Sequence, residues 1–570
     1  MLTEVANKIF FLSIFILLHL ISFRSFCQDL FPSSKIKPIN LSKNHIQAAT
    51  RDRQIIINFD TISGDSRFGG QNPNDLVKWK FHIIDEKDVQ IDSVWWGWGE
   101  GNQSPWPSKT MPLYNAKGYQ KWEEEGVNIA EIFLKESHQR GIEAFYNYRI
   151  NGSDNDLGPF RKIPMKLKNP DWLIHTWPGP VGLWNFAIPE VRQHKLNILR
   201  EIAESLNYDG ISLDFARACP VLPPGKGWVN RDKITQFLRE FRLITEAVAR
   251  KRGRPLLVGV RIPENLEGCH FDGLDIESWI KEKLVDILAL GIRNFDVDLA
   301  AFRRLTEGTH VRIYPSIDDH HASDGYATPP IEIYRGIATN WLKNGADGIQ
   351  TFNFNHAPDF PFQNVWKTHL QAYREIGRLE TLKYKDKIFV LQRRGGGHGP
   401  TVIPNPEDWH TPRWMYSNTN MFAPLPVKLN NTSGIDTFLH LSIEDDLLSD
   451  KSQLNSVFLK MLLSDNLART SPVNQRLITV KIATIGHPKG VLLNIPPNKG
   501  IEDLIQVRLN NLYLGKPIIR KGWLLFPRIP PEFFAVGKNL IGISLSKSRR
   551  RQKDQIMIEK LEVHVQYKAQ

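Results

Sequence analysis

The sequence predicts a (β/α)8 barrel, or TIM barrel, followed by a C-terminal β-sandwich. Short apolar runs alternate with amphipathic helical patterns from about residue 53 to residue 378. Parallel strands need helical crossovers, so this strict alternation indicates one parallel barrel. After about residue 425, short β-like runs separated by turn residues replace the alternation, which is typical of a sandwich.

Each predicted barrel strand has a short apolar core, which ends among polar or aromatic residues in every strand but the sixth. In chain order they are RQIIINFD, QIDSVWWGWGE, IEAFYNYRING, DGISLDFAR, PLLVGVRIPE, VDILALG, HVRIYPSIDD and ADGIQTFNFNH. Runs of this length and apolar content are typical of strands buried on both faces.

Amphipathic segments with helical period separate these strands. The segment 117–141 is predicted to be one helix with a stop at Gly141. Pro189 occupies a first-turn position of a later helix, where its missing N–H costs nothing. Asp275 is predicted to cap the helix in DIESWIKEKL, with Glu277 in its first turn.

The segments outside the barrel divide the rest of the chain. Residues 1–28 are predicted to be a secretory signal peptide, because Lys8 precedes a short apolar run followed by small and polar residues. A retained N-terminal anchor is the alternative. Residues 53–378 are assigned to the barrel, 379–424 to a Gly- and Pro-rich linker or ordered loop, and 425–570 to the sandwich. The expected mature protein is exported (periplasmic, cell-surface or secreted), without stable membrane insertion after the signal is removed.

The charge and the cysteine content limit which ligands, metals and disulfides the sequence predicts. The net charge is +12 and the pI about 9.3, with the positive residues scattered along the chain. This favours attraction to acidic or sulfated polysaccharides, or to an anionic cell surface, over nucleic acid. Cys219 and Cys269 follow the fourth and fifth strands, and either form a disulfide or are two buried thiols. The absence of a CxxC pattern speaks against zinc, and the sequence predicts neither a metal nor a cofactor.

The candidate catalytic residues stand at the carboxyl ends of the barrel strands, where catalytic groups lie in this fold. Asp214 ends the fourth strand and is the predicted nucleophile or stabilising base. Glu264 on the fifth strand is the predicted acid, with Asp318 on the seventh as the alternate. Arg217 is close enough in sequence to favour the charged form of Asp214. The alternative is that Asp214 and Arg217 only hold the following loop.

Further polar and aromatic residues at these strand ends are predicted to bind the substrate. Hydroxyl groups of a sugar suit amide and guanidinium donors, and sugar C–H groups suit aromatic faces. The predicted substrate-binding residues are Asp60, Trp96, Trp98, Tyr148, Arg149, Arg217, Arg261, Tyr314, Asp319, His320, Asn353, Asn355 and His356. Packing explains the tryptophans equally well, and turn formation is the alternative for Asp318 and Asp319.

Four motifs resemble those of the family-10-like group of glycoside hydrolase-type barrels found in bacteria. They are YDGISLDFAR, LLVGVRIPE, GLDIESWIKEKLVDIL and GADGIQTFNFNH, and the resemblance covers most of residues 53–378. It implies a carbohydrate-active enzyme in which Asp214 is the leading catalytic carboxylate and Asn353 and Asn355 belong to the site.

Two weaker resemblances concern the carboxylates and the C-terminal region. The alpha-amylase superfamily places catalytic carboxylates on strands four, five and seven, which implies Asp214, Glu264 and Asp318. Ser212, however, stands where that superfamily has an arginine, which puts a retaining mechanism of that type in doubt. The stretch from VRLNNLYLGK to GKNLIGISL is similar to galactose-binding-like β-sandwiches, which either bind glycan or brace the barrel.

The sequence therefore predicts an exported glycoside hydrolase that cleaves a polysaccharide or oligosaccharide, with an anionic glycan as one candidate, by a two-carboxylate mechanism. A barrel hosts many chemistries, so two alternatives stay open. One is a non-catalytic glycan-binding protein that lacks a facing pair of carboxylates. The other is a polysaccharide lyase or a metal-dependent hydrolase that uses His320, His321 and Asp318.

Overall fold

The structure is a computed structural model of the 570-residue chain. It describes residues 39–59, 72–113, 119–151, 163–174, 182–216, 220–223, 225–291, 294–318, 329–352, 354, 363–392, 423–465, 500–520, 522–547 and 556–569. The chain divides into two compact units, Met1–Leu41 and Ser42–Gln570, and every element below belongs to the second. The predicted signal peptide lies outside the described residues.

Parallel strands close into an eight-stranded barrel, which confirms the predicted fold class. Each predicted run contains the strand that the structure shows. The barrel strands are β1 (Ile55–Phe59), β2 (Ile91–Gly97), β3 (Glu143–Arg149), β6 (Gly210–Asp214), β7 (Leu257–Ile262), β8 (Ile287–Leu290), β9 (Arg312–Asp318) and β10 (Ile349–Phe352). Between β3 and β6 lies a small antiparallel hairpin, β4 (Leu173–Ile174) and β5 (Leu183–Trp184).

Helices follow the strands as the alternation predicts. They are α1 (Lys43–Ala49), α2 (Pro73–Phe81), α3 (Tyr119–Glu124), α4 (Ile129–Gln139), α5 (Pro164–Lys168), α6 (Pro189–Ser205), α7 (Arg231–Arg252), α8 (Leu266–Asp272), α9 (Ile276–Lys281), α10 (Leu299–Thr306), α11 (Ile331–Lys343), α12 (Gln363–Glu375) and α13 (Leu379–Leu382). Single 3₁₀ turns occur at Gly99–Gly101, Pro170–Trp172, Trp228–Asn230, Lys451–Gln453, Ile501–Asp503 and Pro531–Phe533. Within the described ranges, no helix combines the length and apolar content needed to cross a membrane.

Local sequence signals at helix ends explain why one predicted helix boundary is confirmed and another differs from the structure. The Asp275 side chain accepts the Ser278 N–H at 3.1 Å, so the predicted cap of α9 is confirmed. Segment 117–141, predicted as one helix, forms α3 and α4 instead. Gly126 adopts a φ of 71° after α3, and Asn128 starts a new helix by accepting the Glu131 N–H. The left-handed glycine and the asparagine cap therefore override the continuous apolar period.

A buried ionic cluster closes the amino-terminal end of the barrel. Asp286, directly before β8, is fully buried, as is its bidentate partner Arg242 on α7. His45 on α1 and His310 before β9 each place Nε2 2.9 Å from Asp286 Oδ1. The charge of Arg242, together with hydrogen bonds from His310 and His45, holds the pKa of Asp286 well below its usual range, although burial opposes this. The cluster thereby ties α1, which the sequence did not predict, to the barrel.

The C-terminal region forms two antiparallel sheets around one core, as the sandwich prediction requires. The larger sheet has the order β11-β20-β14-β18-β17, with β12 on β20, and the smaller has the order β13-β19-β15-β16. The bounds are β11 (Lys387–Val390), β12 (Val427–Lys428), β13 (Thr437–Ile443), β14 (Leu454–Asp465), β15 (Ile505–Leu509), β16 (Leu512–Tyr513), β17 (Ile518–Arg520), β18 (Trp523–Phe526), β19 (Gly537–Leu545) and β20 (Ile556–Tyr567).

The segment predicted as linker contributes to the sandwich. Residues 379–424 contain α13 and β11, and β11 pairs along its whole length with β20. The barrel helix α11 packs on β11 so closely that a Cβ at Gly336 would lie 2.4 Å from the Ile388 carbonyl oxygen. The Asn340 side chain on α11 also bonds to the backbone of Ser442 and Glu444. The sandwich therefore braces this side of the barrel.

Candidate functional site

A row of alternating charges crosses three adjacent strands at the carboxyl end of the barrel. Arg149 is the last residue of β3 and pairs in register with Asp214, the last residue of β6. Asp214 in turn pairs with Arg261 on β7. Each side chain is at least 98% buried, with exposed fractions of 2%, 0% and 0%. The strand order thus places one buried carboxylate between two guanidinium-bearing positions.

Both oxygens of Asp214 have defined donors. Arg261 Nη1 lies 3.2 Å from Oδ2, and the Ala216 backbone N–H donates to Oδ1 at 3.0 Å. Guanidinium groups are always charged, so Arg261 offsets the cost of burying the carboxylate. Because the pair lies at the end of two adjacent strands, the position of the carboxylate is fixed by the barrel wall. The partner that the sequence proposed, Arg217, lies outside the described residues.

The Arg261 side chain connects the two halves of this end of the barrel. Its Nε–H donates to the Gly291 carbonyl after β8 at 3.2 Å. Its guanidinium carbon lies 3.8 Å from the centre of the Phe352 ring on β10, in a cation–π contact. Phe352 is the register partner of Asp318 on β9. Arg261 therefore contacts residues at the ends of both β6 and β10. Asp318 lies beside Phe352 in the sheet.

Glu264 and Asp318 supply two further carboxylates at this end. Asp318 is the last residue of β9 and is fully buried. Glu264 follows the end of β7, is 5% exposed, and receives the Asn294 Nδ2–H at 3.4 Å. Its backbone carbonyl accepts the Asp298 N–H, which anchors the turn after β8 to the turn after β7. The three predicted catalytic carboxylates therefore stand at the same end of one closed barrel.

A polar layer that the sequence did not single out lies one pleat below this row. Its members are at most 1% exposed and occupy inward positions two residues before the mouth: Asn58, Asn147, Ser212, Ser316 and Gln350. Asn147 donates to Asn58 at 3.1 Å. Several polar atoms of this layer, including the side-chain nitrogen and oxygen of Gln350, have no hydrogen-bond partner among the described residues. Because the side-chain period of a strand is two, the signal in these five strands was a polar residue two places before the residue at the mouth.

Trp96 and Trp98 face the helices and not the mouth, which corrects their predicted role in substrate binding. Trp96 is fully buried, stacks on Phe59 with a centroid distance of 4.3 Å, and donates its indole N–H to Ser137 Oγ at 3.0 Å. Trp98 is 1% exposed and donates to Tyr208 Oη at 3.1 Å. Both rings therefore pack the barrel wall against the helical layer.

Replacement of Trp96 by Phe is expected to lower the free energy of unfolding by about 1–3 kcal/mol, because the ring becomes smaller and the indole N–H bond is lost. It should leave KM unchanged, since Trp96 does not reach the mouth. Urea unfolding and steady-state kinetics on the same variant check both parts. A raised KM with unchanged stability would restore Trp96 to the substrate site.

Tyr148 and Tyr314 are likewise corrected. Tyr148 points out of the barrel, donates its hydroxyl to the Gly101 carbonyl at 2.8 Å, and receives Lys195 Nζ at 2.9 Å. Tyr314 packs in a cluster of buried residues with Ile56 and Ala49 near the amino-terminal end of the barrel, and it hydrogen-bonds Arg53. Burial raises its pKa to about 12. Tyr148 therefore holds a loop, and Tyr314 belongs to the opposite end of the barrel.

The remaining predicted site residues lie outside the described residues, so their roles stay predictions. They are Asp60, Arg217, Asp319, His320, Asn353, Asn355 and His356, together with His321 and Cys219. Cys269 is buried on α8, and its pairing with Cys219 also stays a prediction. In the part of the chain that the structure describes, no three His, Cys, Asp or Glu side chains are grouped as a metal ion requires.

No protein-family model and no curated protein sequence matches this chain. Among solved structures, it is similar to alpha-L-fucosidase isoenzyme 2 from Paenibacillus thiaminolyticus, with 13% identity over 59% of this chain and 51% of that one, at a TM-score of 0.38. It is also similar to the PgaB (BpsB) glycoside hydrolase domain from Bordetella bronchiseptica, with 14% identity, coverage of 57% and 99%, and a TM-score of 0.39. The alpha-amylase from Geobacillus thermoleovorans shows 13% identity, coverage of 72% and 93%, and a TM-score of 0.35.

These structural neighbours are glycoside hydrolases, and the chain spans about half the length of the fucosidase. At such identities and TM-scores, the similarity transfers no activity to this chain. The resemblances to the family-10-like barrels and to galactose-binding-like sandwiches stay predictions.

Proposed function

We propose that this protein is an exported glycoside hydrolase that cleaves a polysaccharide or oligosaccharide with a pair of carboxyl groups. The observation that carries the proposal is the buried Asp214–Arg261 pair, with Glu264 after β7 and Asp318 on β9 at the same end of the barrel. Glycosidic-bond hydrolysis needs one fixed carboxylate and one carboxyl group that carries a proton. Asp214 is the candidate for the fixed carboxylate, and Glu264 and Asp318 are the candidates for the group that carries the proton.

Asp214 suits the role of nucleophile or stabilising carboxylate. Its charge is offset by Arg261 and its position is fixed by Ala216 and by the strand. An oxocarbenium-like centre that develops beside it gains from a negative charge already in place. The guanidinium of Arg261 is itself positioned by the Phe352 ring and by the Gly291 carbonyl.

Glu264 suits the acid better than Asp318 does. A general acid must hold a proton before the reaction, and an adjacent cation opposes this. Among the described residues, the carboxylate of Glu264 has the Asn294 amide as its bonding neighbour and no cation. Glu264 is also 5% exposed, whereas Asp318 is fully buried, so Glu264 has the shorter route for proton exchange with water.

The test begins with purified protein against a panel of neutral, uronic and sulfated glycans. On the substrate that is cleaved, Glu264→Gln is expected to slow hydrolysis by about 10²- to 10⁴-fold. A nitrophenyl glycoside of the same sugar should be slowed much less, because its leaving group needs no proton.

Asp318→Asn is the matched variant for this measurement. It should show no such dependence on the leaving group. The reverse pattern would make Asp318 the acid, and no hydrolysis of any glycan by the wild-type protein would contradict the proposed function.

A further inference from the structure

The outer face of the larger sandwich sheet carries aromatic side chains where solvent-facing residues are expected. On β14, Val457, Leu459 and Met461 point into the core, so Phe458 and Lys460 point outward. On β18 the same alternation turns Trp523 outward, since Leu524 and Phe526 are core residues. Polar residues normally occupy such positions in a sandwich. Phe458 and Trp523 therefore depart from the usual pattern of this face.

These outward side chains line a groove of about 480 Å³. Phe458 stacks on His564 of β20 with centroids 4.6 Å apart and planes 16° apart. Lys460 Nζ lies 4.4 Å from the centre of the Trp523 ring. A volume of this size is typical of a site for a small ligand or a short segment of a polymer.

Positive charge dominates the groove. Lys460 lies 3.6 Å from Glu562, and His564 bonds the same carboxylate at 2.8 Å. Arg520 and Arg528 are exposed and have no acidic partner among the described residues. Arg528 also adopts a φ of 53°, a conformation that an arginine takes only at a cost in strain. Two unneutralised guanidinium groups thus flank an aromatic ring.

We propose that this groove binds an acidic glycan, with Trp523 against a sugar ring and Arg520 and Arg528 on its carboxylate or sulfate groups. Guanidinium groups match the geometry of such oxyanions, and an aromatic face matches sugar C–H groups. The choice of a glycan over other polyanions rests on the function proposed for the barrel. A run of stacked bases would need several open ring faces, whereas Phe458 and His564 already cover each other.

Binding of dextran sulfate and of dextran to the full-length chain tests the proposal, because the two polymers differ only in sulfate. The protein carries Asp214→Glu, which keeps the counter-charge of Arg261, so that hydrolysis in the barrel does not interfere. Dextran sulfate should bind and dextran should not. Trp523→Ala and Arg528→Gln should each weaken binding by about tenfold or more, the equivalent of one strong contact.

Lys547→Gln is the matched control, because it removes one exposed positive charge at the end of β19, in the other sheet. If Lys547→Gln weakens binding of dextran sulfate as much as Arg528→Gln does, the groove is not the binding site. Attraction through the net charge of +12 would then explain the binding. Equal binding of dextran and dextran sulfate would contradict the proposed preference for acidic glycans. Tighter groove-dependent binding of single-stranded DNA or of phosphatidylserine vesicles would assign the groove to another class of partner.

The binding test of the groove and the activity test of the barrel can fail separately. Hydrolysis that depends on Asp214, with no groove-dependent binding, contradicts only the groove. Groove-dependent binding of dextran sulfate without any hydrolysis by the wild-type protein contradicts only the enzyme.

Discussion

Replacement of Asp214 by Asn is expected to reduce hydrolysis of the natural substrate by about 10⁴-fold or more, the scale on which removal of a catalytic nucleophile acts. The amide has nearly the same shape, but it carries no charge with which to form a covalent intermediate or stabilise a cationic centre. Steady-state kinetics with the glycan that the wild-type protein cleaves measures this loss, which should appear in kcat.

A second variant separates chemistry from folding. Asp214→Asn leaves the fully buried Arg261 without its counter-charge, which costs about 3–5 kcal/mol when one partner of a buried pair is removed. Asp214→Glu keeps the charge for Arg261 but moves the carboxylate by one methylene group. It should stay folded by circular dichroism and still lose most of its kcat. Near-normal activity of a folded Asp214→Glu or Asp214→Asn would assign the pair a structural role only.

Replacement of Asp286 by Asn is expected to lower the free energy of unfolding by about 3–5 kcal/mol, because Arg242 is left buried without a counter-charge. The amide also points N–H groups at donors: Asp286 accepts from both Arg242 nitrogens, from Val258 and from the ring nitrogens of His45 and His310. Urea unfolding at neutral pH measures the loss. The matched control is Asp85→Asn at a partly exposed ion pair with Arg140, where about 0–1 kcal/mol is expected.

The same carboxylate sets a pH dependence of stability. Its pKa in the folded protein is depressed, chiefly by Arg242, whereas the unfolded value is about 3.9. The stabilisation is therefore fully present above the unfolded pKa and is lost as the pH falls below it toward the folded pKa. Wild-type stability should fall in that acid range more steeply than that of Asp286→Asn. Parallel curves for the two proteins would contradict the assignment.

The barrel follows from the sequence because its signals are local. In every barrel strand but the sixth, an apolar run ends among polar residues, and a helix with an apolar stripe follows, so order and direction are readable without tertiary information. The cap at Asp275 is of the same kind, since the side chain bonds an N–H three residues away. The carboxylates Asp214, Glu264 and Asp318 are found at the strand ends for this reason. The order of the strands in the barrel then brings these three carboxylates to the same end.

Only the tertiary structure decides which side chains meet. Arg261, 47 residues from Asp214 in sequence, is the guanidinium that contacts it, because β7 is the neighbour of β6 in the sheet. Trp96 turns toward the helices and Tyr314 toward the barrel floor. Closure with a stagger between strands sets how deep each residue lies, and the phase of the pleat sets whether it faces the axis or the helices. The sequence by itself determines the strands and their ends, whereas depth, facing and partners arise only when all eight strands close.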